Sequence, residues 1–127
     1  MKPLSILVLL AATACAPAAS RSEGLSSRAV ITRAEVEASE AANVYDLVRN
    51  VRPEWLRTRG IHTQGQAMGE ETIVIYMDNA RLGEPETMRT VTLGPVQYIR
   101  FFTPAEATQR WGAGHLLGAI LISTQER

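Results

Sequence analysis

Few side chains in this sequence have the types and spacing that metal binding or catalysis requires. The two histidines are His62 and His115. His62 is near Glu70 and Glu71, a sparse set of ligands on a predicted loop, and a metal site needs more donors than these. His115 is in the glycine-rich run 112–118, but phosphate-binding loops follow a strand and open a helix, whereas this run follows a predicted helix and leads into a strand. We predict instead that its glycines form a turn with positive φ, and that no metal is bound.

Asp78 follows the most apolar predicted strand, at the end where a catalytic carboxylate can stand. The pair Asp78-Asn79 is also typical of a turn in which the aspartate accepts a hydrogen bond from the backbone of Ala80, and we favour this interpretation. No Gly-x-Ser-x-Gly sequence marks a nucleophile. We therefore predict a protein without catalytic residues or a cofactor; an enzyme that uses Asp78 or His62 is a further alternative.

Cys15 is the single cysteine, so the domain has no internal disulfide, and it ends a segment typical of a secretory signal. A positive N-terminus is followed by the apolar run 4–10 and by small residues up to the cysteine. The run is far shorter than the roughly 20 residues that cross a bilayer, so we predict no transmembrane span. We predict a lipoprotein signal over 1–14 and lipidation of Cys15. Ordinary secretory cleavage near Ala14 or Ala18 is the alternative.

The remaining chain divides into a flexible tether, 15–28, rich in small and polar residues, and one domain, 29–127. Cleavage before Cys15 leaves 12 basic against 13 acidic residues and no basic run, which argues against nucleic acid as a partner. Ala16 and Pro17 stand where an aspartate favours inner-membrane retention of many lipoproteins. We therefore expect a lipid-anchored protein of the outer membrane, with a soluble periplasmic protein as the alternative.

The elements that position these residues are predicted as strands interspersed with short helices. Helix starts are marked by capping boxes at Thr32 and Thr103 and by Asn43, whose helix carries an apolar stripe. Strands are predicted at 29–31 (an edge), 55–59, 72–77 (central in the sheet), 96–102 and 119–124. A further short helix begins at Pro85. The sequence predicts an α+β fold, a small mixed β-sheet with short helices.

The order of these motifs resembles the plug domain of TonB-dependent outer-membrane receptors. The segments that carry the resemblance are ITRAEVEA, NVYDLVRNVRPEWLRTRG, IVIYMDNARLG and VQYIRFFTPAEATQRWGAGHLLGAILIST, which together cover 31–124. The last segment is the most specific; its residues in register are Ile99, Pro104, Ala107, Trp111 (for tyrosine), Gly112, Gly118, Ile120, Ile122 and Thr124.

The sequence also departs from the family pattern. A plug is followed by a β-barrel of hundreds of residues, whereas this sequence stops at Arg127, so we expect a plug-like domain without its barrel. No convincing TonB box precedes Ile31, and Phe102-Thr103 replaces the usual lysine-glycine. The resemblance therefore implies a binding or interaction module rather than a transporter.

By resemblance, Arg57 and Arg59 in the R-G segment mark a partner-facing edge, and Asp78 and Asn79 are further candidate partner-facing residues. A solvated strand face is the alternative for the two arginines. The sequence predicts an envelope lipoprotein that acts as a protein-interaction module, accessory to an outer-membrane receptor or transporter. The alternative is a periplasmic domain that holds a small ligand between the sheet and the 112–118 turn, in a concave apolar pocket with a few polar groups.

Overall fold

The computed structural model describes residues 28–57 and 72–126. The predicted signal, Cys15, nearly all of the tether, Arg59 and the loop with His62, Glu70 and Glu71 lie outside these residues.

Five strands and several short helices make up the described part of the chain. In chain order they are β1 (Val30–Ile31), α1 (Arg33–Glu37), α2 (Val44–Val51), a first 3₁₀-helix (Pro53–Leu56), β2 (Val74–Met77), β3 (Ala80–Gly83), a second 3₁₀-helix (Pro85–Thr90), β4 (Tyr98–Phe102), α3 (Pro104–Trp111) and β5 (Ala119–Ser123). The strands form one mixed sheet, so the predicted α+β class is confirmed.

The strand order in the sheet is β1-β4-β5-β2-β3. β2 and β5 are parallel, and the other neighbours are antiparallel. β1 is an edge strand, as predicted. The central strand is β5, however, and β2 lies beside it, because a second hairpin strand, β3, follows the Asp78-Asn79 turn and takes the other edge.

The strand predicted at 55–59 is wrong in its described part. Pro53 stands at the first position of a 3₁₀-helix instead, and the N–H of Trp55 donates to the carbonyl of Arg52 at 3.0 Å. The fixed φ of proline favours this helical turn over an extended strand. Trp55 is buried in the core and Arg57 follows as an exposed residue.

The predicted helix starts are confirmed. The Thr32 hydroxyl accepts from the N–H of Glu35, whose carboxylate accepts from the Thr32 N–H at 2.8 Å. Asn43 caps α2 by accepting from the N–H of Asp46 at 2.9 Å. These side chains satisfy backbone donors that the first helical turn leaves unpaired.

The two faces of the sheet carry separate apolar clusters. α2 and the first 3₁₀-helix pack on the first face, where Val44, Leu47 and Val48 are fully buried. α3 covers part of the second face, where Phe102, Ala107, Leu121 and Tyr76 are buried together.

The register of β4 against β5 defines two ends of the sheet. Phe102 pairs with Ala119 at one end and Tyr98 with Ser123 at the other. Four residue steps separate the ends, about 13 Å at the usual strand rise. Each end carries a concave surface, described next.

Candidate functional site

The turn between α3 and β5 is built around a buried histidine. The Nδ1 atom of His115 lies 2.8 Å from the carbonyl oxygen of Gly112, and Nε2 lies 2.8 Å from the hydroxyl of Tyr76. Since a carbonyl only accepts, Nδ1 carries the proton and Nε2 accepts from Tyr76. Both ring nitrogens are engaged within the fold, so His115 is a structural residue.

The glycines of this turn have the predicted positive φ, at +88° for Gly112, +102° for Gly114 and +89° for Gly118. Gly118 also lies against the end of β4. A Cβ atom there would be 2.3 Å from the carbonyl oxygen of Phe102, closer than any real contact. The turn therefore requires glycine at Gly118 for both its dihedral angle and its space.

The start of α3 fixes the other side of this turn. The Thr103 hydroxyl accepts from the N–H of Glu106, and the Glu106 carboxylate accepts from the Thr103 N–H at 2.9 Å. The hydrogen bonds from the Thr103 N–H and hydroxyl lower the pKa of Glu106 below its ordinary value of 4.5, and the nearby Arg100 guanidinium lowers it further. The predicted capping box is confirmed.

Asp78 has a different role from the predicted one. Its backbone is left-handed, with φ at +52°. Its carboxylate accepts from the N–H of Thr124 at 2.9 Å and from the Thr124 hydroxyl at 2.8 Å, instead of from Ala80. Asp78 thus fixes the segment that leaves β5, across a sequence separation of 46 residues.

A polar cavity of about 200 Å³ lies at the carboxyl ends of the parallel strands β2 and β5, and we call it the carboxyl-end pocket. Its lining residues are Asp78, Asn79, Tyr98, Arg110, Leu121, Ser123, Gln125 and Glu126. Asn79, Arg110 and Glu126 are exposed, whereas Leu121 and Ser123 are buried and form part of the floor. The pocket is on the second face, beyond the part of the sheet that α3 covers.

A second, largely apolar cavity of about 270 Å³ lies at the opposite end and on the opposite face, and we call it the Leu116 groove. Its lining residues are Glu54, Trp55, Arg57, Phe101, Pro104, Leu116 and Leu117. The rings of Trp55 and Phe101 stack at a centroid distance of 5.7 Å. The side chain of Leu116 is 65% exposed, and it is the one large apolar residue so exposed in residues 28–57 and 72–126.

A third, shallower depression of about 370 Å³ runs beside the edge strand β1. Its charged lining residues are Arg33 and Glu126, and Glu126 also lines the carboxyl-end pocket. Arg33 donates to the carbonyl oxygens of Gly94 at 2.9 Å and Val96 at 2.6 Å, and pairs with Glu37. These bonds tie α1 to the segment before β4, so we interpret Arg33 as structural.

The structure separates the predicted partner-facing residues. Arg57 lies in the Leu116 groove, whereas Asp78 and Asn79 lie in the carboxyl-end pocket, and Arg59 is outside the described residues. Sequence reasoning missed Arg110 and Leu116, which bring charge and exposed apolar surface to the two cavities. An apolar pair in a glycine-rich turn is a signal for Leu116, but nothing local to Arg110 predicts a pocket 32 residues from Asp78.

No three histidine, cysteine or acidic side chains are grouped as a metal site within the part of the chain that the structure describes. In that same part, no helix combines the length and the apolar character needed to cross a bilayer. In comparisons with known proteins, no family model, no curated protein and no solved structure matches this chain.

Proposed function

We propose that this protein is a lipid-anchored binding module of the cell envelope, whose plug-like domain docks a partner protein through the Leu116 groove. The observation that carries the proposal is the exposure of Leu116 beside two aromatic side chains. Apolar side chains at the centre of a concave surface, ringed by charges, are the usual composition of a protein-binding patch.

The rim of the groove indicates the chemistry of the partner. Arg57 is exposed, and none of the ion pairs among the described residues involves it. An arginine at the rim of an apolar groove suits a carboxylate of the partner, because its guanidinium forms two parallel hydrogen bonds with a carboxylate. Glu54 is also exposed in this groove and outside every ion pair of the described residues, so it suits a basic group in the same way. We therefore infer a partner segment with an apolar residue for the groove, an acidic residue for Arg57 and a basic residue for Glu54.

The resemblance of residues 31–124 to receptor plug domains supports an outer-membrane receptor or transporter as the partner. The sequence signal over 1–14 and the lone Cys15 support the lipid anchor. A single acyl chain binds membranes reversibly, so a stable anchor needs more than one chain or a second contact. Replacement of Cys15 by serine in cells should abolish incorporation of labelled palmitate and release the protein from the membrane fraction; unchanged labelling would contradict the anchor.

The docking surface is tested by in-cell photocrosslinking from the groove. We would place a photoreactive amino acid at Leu116 and, as a matched control, at Thr92, which is also exposed but does not line the groove. The proposal expects one outer-membrane barrel protein to be captured from Leu116, not from Thr92, and to be lost when Arg57→Glu is added. Identical capture from both positions, or capture that Arg57→Glu leaves unchanged, would contradict it.

The groove also favours a second candidate, a periplasmic domain that binds a small apolar ligand. The cavity lies between Phe101 of the sheet and Leu116 and Leu117 of the turn, a position that suits such a ligand. Native mass spectrometry of protein purified from the envelope distinguishes the two. A bound mass of a few hundred daltons that Leu116→Trp removes supports the ligand; its absence supports the protein partner.

A further inference from the structure

We propose that the carboxyl-end pocket binds a free α-amino acid, with the ligand carboxylate held by Arg110 and its ammonium group held by Asp78 and Glu126. Three adjacent strands and one helix contribute to this pocket: Tyr98 from β4, Ser123 from β5, Asp78 after β2 and Arg110 from α3. The carboxyl ends of neighbouring parallel strands are a common place for small ligands to bind.

Opposite charges line this cavity without neutralising one another. Arg110, Asp78 and Glu126 all contribute to its wall, yet no ion pair among the described residues joins Arg110 to either carboxylate. A ligand with one positive and one negative group therefore meets an oppositely charged side chain for each of them. A simple anion meets two carboxylates and a simple cation meets a guanidinium, whereas a zwitterion has a partner at each end.

Arg110 is held where a carboxylate can reach it. Its guanidinium carbon lies 5.5 Å from the centre of the Phe102 ring and 5.1 Å from that of the Trp111 ring. Contact with aromatic faces orients a guanidinium while its N–H groups remain available as donors. The side chain is thus positioned for a bidentate contact with a ligand carboxylate.

Asp78 is held on the other side of the cavity. Its two oxygens accept from Thr124, and each carboxylate oxygen has a further lone pair for an ammonium group. The exposed Asn79 amide and the Glu126 carboxylate add further polar groups. Because the hydrogen bonds from Thr124 fix Asp78, little ordering accompanies binding.

The size of the cavity limits the ligand. At about 200 Å³ it is smaller than the roughly 300–1,000 Å³ of pockets for drug-sized molecules. Its wall is predominantly polar, with Leu121 as its main aliphatic residue. We therefore infer an amino acid with a small, uncharged side chain, such as serine, alanine or asparagine.

The test is a titration of the full chain with L-serine, L-alanine and L-asparagine, followed by amide chemical shifts. We expect saturable shifts at Asn79, Ser123 and Gln125 for at least one of them. N-acetyl and C-terminal amide derivatives of that amino acid, which lack one charge each, should bind at least tenfold more weakly. Equal binding of the derivatives, or no saturation below about 10 mM for any of the three, would overturn the proposal.

Variants of charged residues locate the site. Arg110→Gln and Glu126→Gln should each weaken binding at least tenfold, whereas Arg49→Gln, an exposed arginine on α2 at the first face, should leave it unchanged. If Arg110→Gln is unfolded, Arg110→Lys retains the charge but not the paired donors and should show the same direction of change. This proposal does not depend on the Leu116 groove, because the two sites share no lining residue.

Discussion

Strand β4 contributes Phe101 to the Leu116 groove and Tyr98 to the carboxyl-end pocket, but the two sites are built in different ways. The groove has four exposed lining residues, Glu54, Arg57, Pro104 and Leu116, and no ion pair among the described residues involves either of the two charged ones. The pocket is lined by side chains that also hold the fold, since Asp78 binds Thr124 and the Ser123 hydroxyl donates to the carbonyl of Gln125. We therefore expect binding and stability to be separable at the groove, where a substitution can change binding alone. At the pocket they are coupled, because a substitution there changes both.

The largest expected effect is at the backbone that supports the groove. Gly118→Ala should destabilise the domain by about 3 kcal/mol or more, because it combines a positive φ with a Cβ only 2.3 Å from the Phe102 carbonyl oxygen. Gly112→Ala is the matched control, with a similar φ of +88° but no atom within 4 Å of its Cβ. Urea unfolding measures both. Equal losses would show that the close approach of Gly118 contributes nothing beyond its dihedral angle.

The next effect tests the coupling at the pocket. Asp78→Ala should cost about 2 kcal/mol, because it removes the charged acceptor of two hydrogen bonds from Thr124 and leaves alanine at a φ of +52°. Asp78→Asn should cost less, since asparagine tolerates this φ and retains one acceptor. Denaturant unfolding and the amide shift of Thr124 are the readouts. If both variants are as stable as the wild type, Asp78 is free for a ligand and the pocket is not coupled to the fold.

A third effect concerns the buried hydrogen bond between Tyr76 and His115. Tyr76→Phe should cost about 1–2 kcal/mol, because Nε2 of His115 loses its buried hydrogen-bond donor. Tyr45→Phe is the control, since it keeps the ring that lies under the Arg89 guanidinium. Nitrogen-15 shifts should show the His115 proton on Nδ1. A proton on Nε2 would reverse the direction of the bond that we infer between His115 and Tyr76.

The sequence predicts those features whose interacting residues lie close together in the chain. Helix starts at Thr32, Asn43 and Thr103 are predictable because each capping bond joins residues three positions apart. The bond from Thr124 to Asp78 spans 46 residues, and no local pattern specifies it. β3 was missed for a related reason: Ala80 and Arg81 are exposed on an edge, so they lack the apolar alternation that identifies a strand.

The same distinction between local and long-range contacts applies to the candidate sites. From the sequence, a ligand pocket beside the 112–118 turn is the alternative to a protein-interaction module, because the turn is a local feature. The Leu116 groove lies beside this turn. The carboxyl-end pocket is assembled from four segments whose adjacency depends on the parallel pairing of β2 with β5. Parallel pairing joins distant parts of the chain and leaves no short-range signal.

A smaller effect, which depends on pH, concerns the hydrogen bonds between Thr103 and Glu106 at the start of α3. Because folding lowers the pKa of Glu106, the Glu106 carboxylate stabilises the fold fully above its ordinary pKa of 4.5. This stabilisation is lost as the pH falls through the folded-state pKa, which lies below 4.5. Thr103→Ala should cost about 1 kcal/mol at neutral pH and flatten this loss of stability on acidification. The exposed Thr92→Ala should do neither. Alanine keeps the backbone N–H that donates to Glu106, so an unaltered pH dependence in Thr103→Ala would show that the Thr103 hydroxyl does not stabilise the charged carboxylate.

The smallest expected effect decides whether the groove is a free surface. Leu116→Ser should change the free energy of unfolding by less than about 0.5 kcal/mol, because most of this side chain is already in water. Leu47→Ala, a fully buried residue of the first face, should cost about 2–5 kcal/mol in the same urea experiment. With the photoreactive amino acid moved to Glu54, an exposed residue of the same groove, Leu116→Ser should nevertheless abolish capture of the partner protein, since an exposed apolar side chain contributes to binding only once it is buried. A loss of stability above about 1 kcal/mol would instead assign Leu116 to the packing of the turn, and the contrast between a separable groove and a coupled pocket would then fail.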